Sequence, residues 1–201
     1  MEKPAPAHYP VHELIGRRWS PRAFADRPVE PAVLCSLFEA ARWAASSSNE
    51  QPWHFLVAAK ADTTEFERLL SCLTPGNARW VKDVPVLMMS VARMTFEDDG
   101  KPNRHAFHDV GQAVATLAIE ATALGLFIHQ MAGFYPDKVR ELFKLPADYE
   151  PVAAIAVGYP GEPERLPDDL KKRERQPRER KPIADFVFTG AWKQRSTVVG
   201  G

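Results

Sequence analysis

Ala44-Ala45-Ser46-Ser47-Ser48-Asn49-Glu50-Gln51-Pro52-Trp53 is the stretch whose chemistry decides the architecture. An Ala-rich helical pattern stops there in three hydroxyls and two side-chain amides, and the apolar run Trp53-His54-Phe55-Leu56-Val57 follows at once. Ser and Asn side chains hydrogen-bond nearby backbone in place of a further helical turn, and Pro52 withholds an N–H, so a loop between a helix and a strand is expected. The plain reading ends with that helix stop. The functional reading is that neutral donors and acceptors held between two rigid elements suit a flat polar heterocycle better than a charged ligand.

Upstream, Pro31 opens the helix that leads into this loop, with Leu34, Leu37, Phe38, Ala41, Ala44 and Ala45 as its expected apolar face. Before it stands Arg17-Arg18-Trp19-Ser20-Pro21-Arg22-Ala23-Phe24, which brings Arg18, Ser20 and Arg22 together within five residues. A guanidinium fork matches phosphate geometry, so the segment reads as a phosphate clamp; without the Ser-rich loop an exposed basic turn would be the better description.

The two signatures Arg-x-Ser-x-Arg-x-Phe and Ser-x-x-Asn-x-Gln-Pro-Trp, in that order and separated by one helix, resemble those of the FMN-dependent nitroreductase family, and the resemblance runs from about Val11 to Trp192. It implies an α+β fold with a mostly antiparallel central sheet surrounded by helices, forming a homodimer in which the C-terminal strand is exchanged. It implies FMN as cofactor, with Arg18, Trp19, Ser20 and Arg22 at its phosphate and the pyrimidine side of its ring. Ala45, Ser46, Ser47 and Asn49 become contacts to the flavin bound mainly by the partner, with Gln51 either lining the same site or holding the loop. Asn77 would meet the ring's edge, the alternative being an ordinary helix-terminal Asn. Met131, Ala132 and Gly133 would lay a strand end along the reactive side, with a main-chain N–H from Ala132 or Gly133. Many relatives carry Glu where this chain has Ala132. Arg178 and Arg180 would complete the phosphate site.

The remaining chain falls into alternating patterns. Pro10 is expected to open a helix carrying Val11, Leu14, Ile15 and Arg18 on one face. Asp62-Thr63-Thr64-Glu65 is a capping-box pattern ahead of Phe66, Leu69, Leu70 and Leu73, with Gly76 expected to stop that helix. Val86 to Val91 is continuously apolar, as in a strand buried on both faces. Residues 94–106 are loop-like. Asp109 or His108 is expected in the first turn of a long Ala-rich helix through Ala113, Leu117 and Leu124, and Gly111 inside it predicts a close helix contact. Leu126 to Met131 and Val152 to Val157 are strand-like, Pro136 opens a helix, and Ala184 to Thr189 is expected as a final strand.

Composition bounds the rest. With 201 residues and balanced charge, Lys+Arg 26 against Asp+Glu 26, a single domain is expected, with nothing global to draw nucleic acid or an anionic membrane. The mixed-charge run from Pro160 to Pro182 has no interleaved aromatic residue, so a solvated arm is expected there; residues 160–201 would wrap the partner, and residues 1–9 would be loose. Cys35 and Cys72 read as reduced core or near-core thiols, and with no apolar leader the protein is expected in the cytoplasm. His8 and His12 lack further ligands nearby, so no metal is expected. There is no dinucleotide-binding Gly pattern, no phosphate-binding Gly-Lys loop and no nucleophile elbow. The chemistry then belongs to a cofactor: by the resemblance, hydride from NADH or NADPH passes through FMN to a nitroaromatic, quinone or similar small acceptor in ping-pong fashion, with no catalytic side chain. The resemblance also leaves open a non-turnover FMN-binding dimer and a branch with other flavin chemistry such as reductive dehalogenation.

Overall fold

A computed structural model describes residues 2–199. In chain order its elements are α1 (Glu13–Arg17), α2 (Pro31–Arg42), β1 (Trp53–Ala59), α3 (Thr63–Leu70), α4 (Pro75–Val81), β2 (Val86–Arg93), α5 (Ala106–Ala123), β3 (Phe127–Met131), α6 (Pro136–Phe143), β4 (Tyr149–Gly158) and α7 (Asp168–Arg175). The four strands form one sheet in the order β1-β2-β4-β3, every neighbouring pair antiparallel. The α+β architecture with helices around an antiparallel sheet is therefore as the sequence implies.

The sheet separates two cores, and β2 shows why its sequence lacks alternation. Leu87, Met89 and Val91 point into one core with Phe66, Leu69 and Trp80 of α3 and α4. Val86, Met88 and Ala92 point into the other, against Leu37 and Ala41 of α2 and Val110, Ala113 and Leu117 of α5. Each large aliphatic side chain removed from water contributes about 1.5–3 kcal/mol, so a strand apolar on both sides joins two helical layers. In β4 the same division sends Ala154 and Ala156 one way and Ile155 and Val157 the other.

Several boundaries depart from expectation. His12, not Pro10, starts α1: its Nδ1 accepts from the Leu14 N–H at 3.2 Å, and Val11 and Ile15 remain exposed. Helix α2 stops at Arg42, so Ala44 and Ala45 fall beyond it; Arg42 and Trp43 both donate to Glu39 where the chain leaves the helix. Cys35 lies on the outer face of α2 and is exposed, whereas Cys72 is buried. Asp62 caps α3 through the Glu65 N–H as expected, but α3 ends at Leu70 and Pro75 begins α4, which puts Gly76 and Asn77 inside a new helix. Beyond its own turn of helix, nothing among the described residues lies within 4 Å of a Cβ built on Gly111, so the close helix contact expected there is not made among them.

The C-terminal region differs most. The charged run contains α7, which buries Leu170 and Glu174 four residues apart. Ala184 to Thr189 does not form a strand: Ile183–Asp185 is a 3-10 turn, and Phe188 makes a single bridge back to Arg195. A strand needs a ladder partner, and the segment folds on itself with Phe186 and Trp192 exposed. The N-terminal segment is bonded to the rest of the chain through the Ala5 N–H to the Gly16 carbonyl at 2.8 Å and the Arg178 guanidinium to the Lys3 carbonyl at 2.8 Å.

Candidate functional site

Helix α1 ends at Arg17 with Arg18 as its cap, and the extended segment after it runs beside the edge strand β3. Trp19 packs edge-on against Phe127 at the start of β3, with ring centroids 6.2 Å apart. The Pro21 carbonyl lies 2.8 Å from Nδ1 of His129, two residues along. Met131 then turns into the core, and the strand leads out through Ala132 to Gly133. The clamp segment and the predicted ring-edge residues thus lie along one strand.

Gly133 is where α4 meets this strand end. Its carbonyl accepts from the Thr74 N–H at 3.0 Å, the Thr74 hydroxyl at 3.1 Å and the Asn77 amide at 3.0 Å. A Cβ on Gly133 would lie 2.5 Å from the Asn77 amide nitrogen and 2.8 Å from the Thr74 hydroxyl, so any larger residue there would displace those two side chains from the carbonyl. Asn77 and Gly133 are brought together; Thr74, which sequence reasoning passed over, shares the junction as the residue before Pro75.

At the other end of the segment, three guanidinium groups gather. Burial lowers the Arg18 pKa and the Arg180 charge beside it adds to that, while burial and then Arg18 and Arg180 lower that of Arg178. Arg178 Nη1 also donates to the Gly16 carbonyl at 2.7 Å, closing the C-terminal end of α1. Like charges repel, so three guanidinium groups within mutual reach favour an anion between them. Arg22 stands slightly apart, its Nη1 4.0 Å from Glu174 Oε2, beside an open cleft of about 580 Å³ that Lys82 and Arg165 also line. Burial lowers its pKa, Glu174 opposes that, and Arg173 adds to the lowering. Ser20 is exposed at the turn. Trp19 is 7% exposed with its indole N–H buried and unpartnered among the described residues, and the Lys3 ammonium lies 4.9 Å above the ring.

The Ser-rich loop is elsewhere. Ser47–Asn49 form a 3-10 turn in which Ser48 and Asn49, and then Gln51, take positive φ of 54°, 56° and 52°. Left-handed backbone at non-glycine residues persists only where surroundings hold it. Here the Ser47 N–H donates to buried Asp109 at 3.0 Å, the Gln51 N–H to the Ser46 hydroxyl at 3.0 Å, and the Gln51 amide to the Asn49 carbonyl at 3.0 Å. Asp109 in the first turn of α5 is therefore a strut for the loop as well as a charge at a helix start. Ala45, Asn49 and Gln51 are exposed. The loop sits at the N-terminal end of α5, whereas Arg17 and Phe127, neighbours of the basic cluster, flank Gly125 just past its C-terminal end. At 1.5 Å per residue these ends are about 24 Å apart, so one chain does not bring its own loop to its own cluster.

Two further residues tie the clamp segment. The half-buried His129 imidazole is driven down to about 4 by desolvation, against the pull of the Pro21 carbonyl, so it is neutral with its proton on Nδ1. The carboxylate of Glu174, 1% exposed, accepts from the Arg22 and Ala23 N–H groups at 2.7 and 3.0 Å. Among the described residues no group of three or more His, Cys, Asp or Glu is placed to hold a metal ion, and no helix is long and apolar enough to cross a membrane.

Fold and site define a class: α+β proteins with an antiparallel sheet between two helical layers, a basic cluster beside an edge strand and a strained polar loop at the far end of the long helix. Within that class, the chain belongs to the nitroreductase family, whose family model matches residues 15–159. A crystal structure described as an oxidoreductase containing FMN is similar over 95% of this chain and 97% of that one, with 36% identity and a TM-score of 0.89. A protein of Streptomyces coelicolor, provisionally named an NADH dehydrogenase/NAD(P)H nitroreductase, is 29% identical over 168 residues, 72% of this chain and 82% of that one. An uncharacterized 15.4 kDa protein of Mycolicibacterium smegmatis is 36% identical over 95 residues, which span 47% of this chain and 64% of that protein.

Proposed function

We propose that the protein is an FMN-dependent oxidoreductase that passes a hydride from NADH or NADPH to an electron-poor nitroaromatic, quinone or similar small acceptor. The observation that carries this reading is Arg178 bonded to the Gly16 carbonyl two residues before Arg18, with Arg180 in electrostatic range, where Trp19 packs on the strand that ends at the Asn77–Gly133 junction. The donor set fits the cofactor: cations for a phosphate at one end, and neutral amide and backbone groups for a flat polar ring at the other. The similar structure described as containing FMN and the relative named for NAD(P)H nitroreductase chemistry support the same reading.

FMN, where bound, would supply the two-electron chemistry that joins a nicotinamide donor to the acceptor. The chain's part is to bind and orient. Arg18, Arg178 and Arg180 hold the phosphate, Arg22 adds positive charge further along, and Asn77 with the Gly133 backbone meets the ring. Met131 contributes only its main chain, because its side chain belongs to the core. Ala132 leaves the backbone donor in place and removes the carboxylate that many relatives place there.

The site is completed by a second copy. The loop of Ser46, Ser47, Asn49 and Gln51 is about 24 Å from the cluster of its own chain, and a partner packed antiparallel along α5 would bring its loop to this chain's cluster. The outer side of α5 exposes Phe107, Gly111, Ala115 and Leu124, and the C-terminal arm exposes Phe186 and Trp192, surface suited to burial in a homodimer with arms exchanged. Two free thiols suit a reducing compartment such as the cytoplasm.

The test is the visible absorption spectrum of the purified protein before and after anaerobic NADH or NADPH. Flavin bands that bleach are expected, and Arg18→Ala should weaken FMN binding roughly 10- to 100-fold, the worth of a charge-assisted hydrogen bond. A protein that neither carries nor takes up FMN would end this reading.

A further inference from the structure

The buried carboxylate of Glu174 is used by nothing in the scheme above. Charged side chains otherwise dominate α7, and only Leu170 and Glu174 turn inward. Burying a carboxylate is costly unless it is bonded and faced by positive charge. Glu174 meets the first condition through Oε1, which takes the Arg22 and Ala23 N–H groups; Oε2 is buried without a hydrogen-bond partner among the described residues, 4.0 Å from the Arg22 guanidinium.

The second condition is met by more than Arg22. The Lys3 ammonium donates to the Glu174 main-chain carbonyl at 2.5 Å. Lys3 lies within electrostatic reach of Glu174, Arg178 and Arg22 together, and Arg178 of Arg18 and Arg180. Lys3, Arg18, Arg22, Arg178 and Arg180 therefore form a connected group of five cations, which Arg173 adjoins at Arg22. Glu174 is the carboxylate set into it, and the N-terminal segment is strapped across it by the Arg178–Lys3 and Ala5–Gly16 bonds.

We propose that Glu174 is the internal counter-ion of this anion site, and that Lys3 is a further binding residue for the phosphate monoester the site takes. The carboxylate offsets repulsion among the five cations while the site is empty and fixes the backbone of Arg22 and Ala23. It accepts no side-chain hydrogen bond from Arg22, which leaves that guanidinium free to donate to a ligand. The identity of the monoester as FMN rests on the function proposed above; the counter-ion role needs only a phosphate dianion.

Glu174→Gln tests it, because the amide oxygen still accepts the two N–H groups while the charge is gone. Removing one negative charge this close should tighten the dianion on the order of tenfold at low salt. The variant should melt lower than wild type without ligand and approach it in excess FMN or inorganic phosphate. Lys3→Gln should do the reverse, weakening both ligands and narrowing the melting gap between free and ligand-saturated protein. Calorimetric titration with both probes, and melting curves with and without them, read these effects. A Glu174→Gln protein with unchanged or weaker affinity, and a melting deficit equal with and without ligand, overturns the counter-ion role and leaves a merely structural one. Should Glu174→Gln fail to fold, unchanged affinity in Lys3→Gln overturns the shared site. Wild type that binds inorganic phosphate but not FMN sinks the flavin reading and keeps the anion site; wild type that binds neither sinks both.

Discussion

His129 shows how one side chain links the clamp to the acidity of the medium. Its imidazole sits on the edge strand with Nδ1 toward the Pro21 carbonyl, and desolvation holds its folded value near 4 against an ordinary 6.5. Between those values the unfolded chain binds a proton that the folded chain refuses, so stability is fully present above about pH 6.5 and declines as the pH falls toward 4. For a half-buried ring the loss is on the order of 2 kcal/mol. His129→Asn keeps a donor toward Pro21 and removes the titration. Urea unfolding at pH 7.5 and pH 5 should show a smaller drop in that variant than in wild type; equal drops would mean that the imidazole titrates as in water. Nothing around position 129 in the sequence announces this role, because the bond spans 108 residues. The same holds for Glu174, 151 residues from Ala23, and for Asp109, 62 residues from Ser47. Arg18 and Arg22 stand out in the sequence because paired guanidinium groups suggest phosphate, and Arg178 and Arg180 only through the family resemblance, whereas the residues packed around them act through burial, which appears only after the chain has folded.

Among the elements, legibility followed the number of faces buried. The strand from Val86 was plain because both sides are apolar, and α5 because Ala113, Val114, Leu117, Ala118 and Ala121 repeat at helical spacing. Helix α7 was hidden because only two of its positions turn inward, and α4 because Pro75 restarts a helix only a few residues after Leu70 ends one. The Ser-rich loop was legible as a loop but not as a strained one. Three non-glycine residues in left-handed backbone cost on the order of 1 kcal/mol or more each, and the Asp109–Ser47 bond anchors the turn from α5. Asp109→Ala would remove that anchor and leave the Ser47 N–H without its acceptor. We expect a stability loss of about 1–3 kcal/mol and faster amide exchange across residues 46–51, while the basic cluster at the other end of α5 keeps its phosphate affinity. Unchanged exchange in the loop would show that its strain is carried by the Ser46 and Gln51 bonds alone.

For the molecule as a whole, the question is what covers α5 and the C-terminal arm. Gly111 discriminates between an isolated chain and a pair, because the two cases give opposite signs. It lies in a helix interior, where glycine costs about 1 kcal/mol relative to alanine, and beyond its own turn of helix nothing among the described residues lies within 4 Å of an added Cβ. In a lone chain Gly111→Leu would gain helix propensity and meet open space, so the variant should melt higher. In the homodimer proposed above, a side chain on this outward face enters the gap between two α5 helices that glycine and Ala115 keep narrow. The leucine then holds the helices apart, and with them the loop of one copy from the cluster of the other. Sedimentation of the variant should shift toward monomer at micromolar concentration, with NAD(P)H-dependent turnover falling in step while the monomer's fold remains intact by circular dichroism. A Gly111→Leu protein that stays dimeric, or a wild type that sediments as a monomer with full turnover, would place the partner's contribution elsewhere than along α5.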